Sequence, residues 1–321
     1  MLLSFIIPAY NAEAFIERCV TSISVQFSDH TIYEIIIVND GSTDNTQKVC
    51  QQLAEEHPAI QLYINENHGP GFTRNFGIKQ ARGKYIWFID ADDYLESNVV
   101  AKVISELEDD LDLYIVGHQT VTTEGQIEAL HAVPDEDLLV PELLERNFFV
   151  NSVWCKIIKA RVLTEHSILF KEDVRGPEDF HFSFRLLNKI DRLRSINLIC
   201  YNYIENPASL MNKRSEAHLN KLANDSITVG NDLRVLVNSI EDSRKKLAFN
   251  KWLGNYLYGL LFSLYRFNYK TEFVTASLKK LRANNNYPVK VYSNTLKRKL
   301  FTNFANSRPL FIAVKKIKQV V

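Results

Sequence analysis

The stretch KYIWFIDADDYL, residues 84–95, ends an almost wholly apolar run in three carboxylates, Asp90, Asp92 and Asp93. Carboxylates this close repel and raise one another's pKa, so a cation is expected among them. In Asp90-Ala91-Asp92 an extended backbone leaves one carboxylate to reach a metal directly. The other can hold a metal-bound water or a ligand hydroxyl. Mn²⁺ or Mg²⁺ suits so sparse a site, because these ions keep several waters and take one or two protein carboxylates together with substrate phosphate oxygens. An EF-hand calcium loop does not fit, since its sixth position needs Gly and Leu95 stands there. The plain alternative is an acidic loop in which Asp93 or Ser97 caps the next helix.

Three more carboxylate or cation positions stand in similar contexts. VNDGSTD puts Asp40 directly after an apolar run, where it can accept a hydrogen bond from an imide N–H or a ribose hydroxyl. The same residues also read as a strand-to-helix turn with Asp44 as cap. HGPGFTRNF turns through Gly69, Pro70 and Gly71 into a helix whose first turn holds Arg74 and Asn75, a favourable place for anionic oxygens unless Arg74 is simply solvated. In RGPEDFHFSFRLL, Pro177 suits the first helical position and Glu178 and Asp179 its first turn. Acids there either stabilise the helix or offer a general base to a hydroxyl nucleophile. In Pro8-Ala9-Tyr10-Asn11, Tyr10 either stacks on a base or closes the turn.

These residues need a scaffold, and the hydrophobic pattern supplies one. Apolar runs recur at Leu3–Ile7, Tyr33–Val38, Ile60–Ile64, Tyr85–Ile89 and Leu113–Val116. Between them lie helical stripes: Phe15 to Ile23 with Asn11 as N-cap, Thr46 to Leu53, and Phe72 to Ile78 with Gly83 as the C′ residue. Strand and helix in alternation predict an α/β fold, a mostly parallel sheet flanked by helices. Ligands of such sheets sit beyond the carboxyl ends of the strands, which is where Pro8–Asn11, Asp40 and Asp90–Asp93 fall. From about residue 216 the pattern is helical. The expected division is therefore 1–215 and 216–321, the first part comprising 1–120 and 121–215.

Net charge is zero, but it is segregated: from Arg244 onward seventeen Lys and Arg face one acid, Glu272, leaving 21 basic and 37 acidic residues before that point. Cys19, Cys50, Cys155 and Cys200 have no metal-ligand spacing and read as reduced, buried thiols. MLLSFIIPAY has no basic lead-in and reads as a buried first strand; no run reaches the roughly 18 apolar residues of a spanning helix.

Taken in order, FIIPAYNAEAFIERCVTSI, EIIIVNDGSTDNT, GPGFTRNFGIKQARGKYIWFIDADD and GPEDFHF resemble family 2 glycosyltransferases, inverting enzymes with the GT-A nucleotide-sugar fold. The likeness is close over about residues 3–120 and looser over 150–210, and YNYIENPASLMNK is similar to the end of the catalytic domain in capsule and lipopolysaccharide members. It implies that 1–120 binds the nucleotide sugar and that 121–215 carries the acceptor side and the base. Pro8, Tyr10, Asn11 and Asp40 would line the nucleoside pocket, with Asp90 near the ribose. Asp92 would be the protein ligand of Mn²⁺ or Mg²⁺, and Arg74 would hold nucleotide or phosphate. Asp179 would be the catalytic base, with Glu178, Trp154 and Lys156 on the acceptor side. His181 and His218 are the candidates for a further metal ligand. The implied activity is transfer of a sugar, from a UDP-sugar foremost, to a hydroxyl of a glycan or lipid-linked glycan. A single displacement would give a β-linkage in cell-surface polysaccharide at the inner face of the cytoplasmic membrane.

The tail NTLKRKLFTNFANSRPLFIAVKKIKQ interleaves Lys297, Arg298, Lys299, Lys315, Lys316 and Lys318 with Leu and Phe. That suits an element lying on anionic lipid, or else a basic helical pair packing on the acidic N-terminal domain. Rival readings are a haloacid-dehalogenase phosphatase, which wants its D-x-D on the first strand, and a carbohydrate-binding protein that kept the fold without turnover.

Overall fold

The computed structural model describes residues 1–146, 151–205, 214–292 and 295–320, apart from the side chains of 318–320. Residues 206–213 of the YNYIENPASLMNK segment and the Lys318 side chain lie outside that set. The chain forms two compact units. One is built on 1–143 and the described part of 147–207, the other on 144–146 and the described part of 208–321.

The first unit contains β1 (Leu3–Ala9), α1 (Ile16–Ser24), β2 (Tyr33–Asp40), α2 (Thr46–Glu56), β3 (Ile60–Asn65), α3 (Pro70–Gln80), β4 (Tyr85–Phe88), β5 (Tyr94–Leu95), α4 (Val100–Ser105), β6 (Leu113–Val121), β7 (Ile127–His131) and β8 (Glu136–Leu139). α5 (Val140–Arg146) spans the division between the units. β9 (Lys156–Lys159), α6 (Ala160–Glu165), α7 (Glu178–Lys189) and β10 (Arg192–Ile204) complete the first unit. Its strands form one sheet in the order β3-β2-β1-β4-β9-β6-β10-β5, with β7 beside β6 and β8 beside β10. The first four are parallel, β1 central, Phe5 opposite Ile35 on one side and Trp87 on the other. Both faces of β1 and β2 are covered, which is why these strands read as unbroken apolar runs. α1 turns Ile16, Cys19, Val20 and Ile23 into the core.

Several local expectations change. β9 runs antiparallel between β4 and β6, in a segment whose KIIK pattern gave no strand signal. Its two lysines are buried and satisfied by carbonyls, Lys156 by Ser152 and Lys159 by Asp109. Asn11 does not cap α1, which begins at Ile16 after a turn closed on the Ala12 carbonyl. Its φ of +50° is one that Asn tolerates, and its Oδ1 accepts the Thr43 N–H at 2.8 Å, tying the exit of β1 to that of β2. Gly83 is not the residue after α3's cap. It is small because a Cβ there would lie 2.6 Å from the Ser4 nitrogen. Pro177 occupies the cap position before α7, one residue earlier than expected. Neither Asp93 nor Ser97 caps α4: Gln26 Oε1 accepts the Val99 and Val100 N–H groups at 2.9 and 3.1 Å.

The second unit holds α8 (Glu216–Ser239), α9 (Ser243–Arg266), α10 (Thr271–Ala283), α11 (Leu296–Asn306) and α12 (Arg308–Val320). Ser215 and Asp242 cap the two long helices, accepting the His218 and Lys245 N–H groups. Phe301, Phe304 and Phe311 pack on Tyr258, Phe262 and Tyr265 of α9. Lys315 is turned inward and donates to the Phe267 carbonyl at 2.7 Å. Leu296, Leu300, Leu310 and Ile317 are left exposed beside Lys297, Arg298, Lys299, Arg308 and Lys316. Among the described residues, no helix is long and apolar enough to cross a membrane.

Candidate active site

The carboxyl ends of β1, β2 and β4 lie side by side and carry Tyr10, Asp40 and Asp90. Tyr10 is exposed and Pro8 half-buried. The Asp40 carboxylate is buried and accepts the His68 and Gly69 N–H groups at 2.8 and 2.9 Å, one on each oxygen. It thereby fixes the start of α3. That helix lies close against the sheet because Gly77 leaves room for Ile6, whose Cγ2 would be 2.4 Å from an added Cβ. Asn75 ties it to the chain leading into α7, donating to the Phe170 carbonyl and to Glu172 and accepting the Phe170 N–H.

Arg74, one turn before Gly77, is the centre of the arrangement. Its side chain is 6% exposed and sits over the Phe170 ring. The guanidinium meets Asp90 at 2.7 Å, Asp179 at 3.2 Å and Glu178 at 3.8 Å. Three carboxylates from two distant parts of the chain thus share one cation. Burial works against the Arg74 charge, but Asp179, Asp90 and Glu178 outweigh it and raise its pKa. Burial pushes Asp179 up to about 7; Arg74 opposes this, Glu178 and Asp90 reinforce it, and Lys156 opposes it.

The three carboxylates of the opening stretch have three different jobs. Asp90 faces Arg74. Asp93 is buried, accepting the Tyr201 hydroxyl at 2.7 Å and the Ile204 N–H at 2.8 Å, which pins the loop to β10. Tyr201 in turn accepts the Asp90 N–H at 3.0 Å. Asp92 is only partly covered, and burial followed by the neighbouring Asp90 raises it to about 6 against the pull of its own N–H, Arg18 and Arg74. A carboxylate held above its usual range by burial and a neighbouring carboxylate fits a hard divalent cation that takes its remaining ligands from waters and phosphate oxygens. Among the described residues no group of three or more His, Cys, Asp and Glu could hold a metal ion. His181 is buried on α7, and His218 belongs to the second unit, in the first turn of α8.

On the other side of the carboxylates Trp154 lies flat on Tyr201, ring centroids 4.5 Å apart, and its carbonyl accepts the Trp87 indole N–H. Lys156 is fully buried, and burial lowers its pKa despite Cys155 and Asp179. Glu178 accepts the Gly176 N–H at 2.5 Å. Sequence reasoning missed Tyr201 and Phe170, which orient Asp93 and back Arg74. Of the two, only Tyr201 left a trace, in the alternating aromatics of YNY.

The family model for glycosyl transferase family 2 matches residues 4–166. The uncharacterized glycosyltransferase EpsJ of Bacillus subtilis is 33% identical over 223 residues, 65% of this chain and 62% of EpsJ. The chondroitin synthase of Escherichia coli is 30% identical over 236 residues, 71% of this chain and 33% of that protein. The chain therefore spans less than two thirds of these relatives' length. In fold, the Staphylococcus aureus TarS 1–349 structure in complex with UDP superposes with a TM-score of 0.75 at 18% identity, covering 99% of this chain and 91% of that one. This likeness gives the first unit the GT-A architecture.

Proposed function

The chain belongs to glycosyl transferase family 2, and from that premise we propose that it transfers a sugar from a nucleotide sugar, foremost a UDP-sugar, to a hydroxyl of a glycan or lipid-linked glycan in cell-surface polysaccharide synthesis. The observation that carries this reading is the Arg74 guanidinium, which brings Asp90 of the nucleotide half and Asp179 of the acceptor half onto one cation.

In this reading Pro8, Tyr10, Asn11 and Asp40 line the nucleoside pocket. Asp40 has a lone pair left on each oxygen after its two backbone bonds, enough to accept a base N–H. Asp90 faces the ribose, and Arg74 faces the diphosphate. Asp92 would hold Mn²⁺ or Mg²⁺, an ion that offsets the charge building on the departing nucleoside diphosphate. Asp179 accepts the proton of the attacking hydroxyl as the new C–O bond forms at the anomeric carbon and the bond to the diphosphate oxygen breaks. One base and no covalent intermediate mean inversion, an α-linked donor giving a β-linked product. A carboxyl titrating near 7 is suited to that proton transfer, being largely ionised just above neutrality yet basic enough to accept. Trp154, Lys156 and Glu178 lie on the acceptor side, the part of the chain that selects the hydroxyl. The exposed cations and leucines of α11 and α12 lie on an anionic membrane surface, where a lipid-linked acceptor is found.

The test is donor turnover with Mn²⁺ across a panel of nucleotide sugars. Asp92→Ala and Asp179→Asn are expected each to lower transfer at least about a hundredfold. Full activity in both variants would overturn the site assignment, and no turnover by the unaltered protein of any donor would favour a binding protein without turnover.

A further inference from the structure

Tyr203 follows Tyr201 by two residues on β10, so the two rings stand on the same face of the sheet. Trp154 spans both, 14° from the plane of Tyr201 and 16° from that of Tyr203, with centroids 4.5 and 5.9 Å away. Tyr201 is fully buried with its hydroxyl engaged by Asp93, and Trp154 is 8% exposed, whereas Tyr203 is 38% exposed. Trp154 is itself fixed, by the bond from the Trp87 indole to its carbonyl and by the His118 ring edge-on at 4.6 Å. The outcome is an exposed aromatic ring that cannot tumble freely, held flat beside the acidic loop. Burial raises its phenol's pKa, and Asp93, Asp92, Asp90 and Glu205 raise it further.

This surface has no part in the donor assignment. Tyr10, the ring at the nucleoside end, follows β1, and β4, β9 and β6 lie between β1 and β10 in the sheet. Nor does it suit an anion, because the charges that act on its phenol are the carboxylates Asp93, Asp92, Asp90 and Glu205. A neutral ligand with one apolar face matches it. A pyranose ring is such a ligand, since its axial C–H bonds present a weakly positive surface to the negative face of an aromatic ring while its hydroxyls point outward to polar groups.

We propose that Tyr203, braced by Trp154, is the stacking platform for the acceptor's terminal sugar, taking a neutral pyranose through its C–H face. This rests on the glycosyltransferase reading above. It assigns Tyr203 a positioning role: the ring holds the acceptor so that its hydroxyl meets Asp179, and it exchanges no proton itself.

The test uses the full chain with UDP and Mg²⁺, and saturation-transfer difference NMR with methyl β-D-glucopyranoside, methyl β-D-galactopyranoside and methyl N-acetyl-β-D-glucosaminide as probes. Wild type and Tyr203→Phe, which keeps the ring, are expected to saturate the ring C–H protons of at least one probe. Tyr203→Ala should weaken that binding about three- to tenfold, with the UDP-induced thermal shift equal in all three proteins. Undiminished saturation in Tyr203→Ala would overturn the proposal, as would no saturation of any probe by a wild-type protein that binds UDP. Saturation that depends on Tyr203 in a protein with no UDP shift would sustain the sugar platform and count against the donor assignment instead.

Discussion

At the scale of single residues, the chemistry turns on how one buried cation is divided among carboxylates. Asp179 lies 3.2 Å from Arg74, which favours its charged form, but burial and the charges of Glu178 and Asp90 leave it near 7. A base must be ionised to accept a proton, so kcat/KM for transfer is expected to rise with pH through about 7 and level off above it. Glu178→Gln removes a charge that raises Asp179. The variant's rising limb should therefore move to lower pH, by about half a unit to one unit. Profiles of kcat/KM from acid to mildly alkaline pH check this, and an unmoved limb would refute the assignment. The types of these residues were legible in the sequence, because carboxylates at the end of an apolar strand announce themselves. Their pairing was not. Asp90, Asp92 and Asp93 read as one cluster, yet Asp90 meets Arg74 and Asp93 meets Tyr201, partners brought in by other elements, while Asp92 is raised by burial and by Asp90.

At the scale of elements, α3 was readable and β9 was not, for opposite reasons. α3 is an eleven-residue segment announced by the turn residue Gly69 and by Pro70 at its first position. β9 has four residues with a lysine at each end, and only the sheet on either side of it makes sense of burying them. The place of α3 against β1 depends on Gly77, which no periodicity reveals. Gly to Ala inside a helix ordinarily stabilises by about 1 kcal/mol. Here the added methyl would collide with Ile6, a branched side chain buried in the sheet, so the sign reverses. Gly77→Ala is expected to cost about 1–3 kcal/mol in thermal or urea unfolding. It should also lower kcat, because Arg74 rides on the displaced turn. A variant as stable and as active as the wild type would show that α3 has slack against the sheet.

At the scale of the whole molecule, the segregation of charge was the feature most readable from composition, and the second unit gives it a form. The sequence could not say which tail side chains face outward, since Phe and Leu alternate among the lysines alike. Packing separates them: the phenylalanines pack on α9 and Lys315 turns inward, while four aliphatic side chains remain exposed among five exposed cations. Each cation near an anionic bilayer contributes about 1 kcal/mol, and the leucines add the burial of apolar surface in the headgroup region. Co-sedimentation with phosphatidylglycerol vesicles should therefore exceed that with phosphatidylcholine alone, and it should weaken as salt is raised. Replacing Leu296 and Leu300 by Ser removes only exposed side chains, leaving the fold intact by thermal unfolding, and is expected to weaken binding by roughly tenfold. Equal binding to both kinds of vesicle would end the lipid-facing reading. Binding to anionic vesicles that the Leu296→Ser, Leu300→Ser protein retains in full would reduce it to simple charge attraction, with no insertion of the helical face.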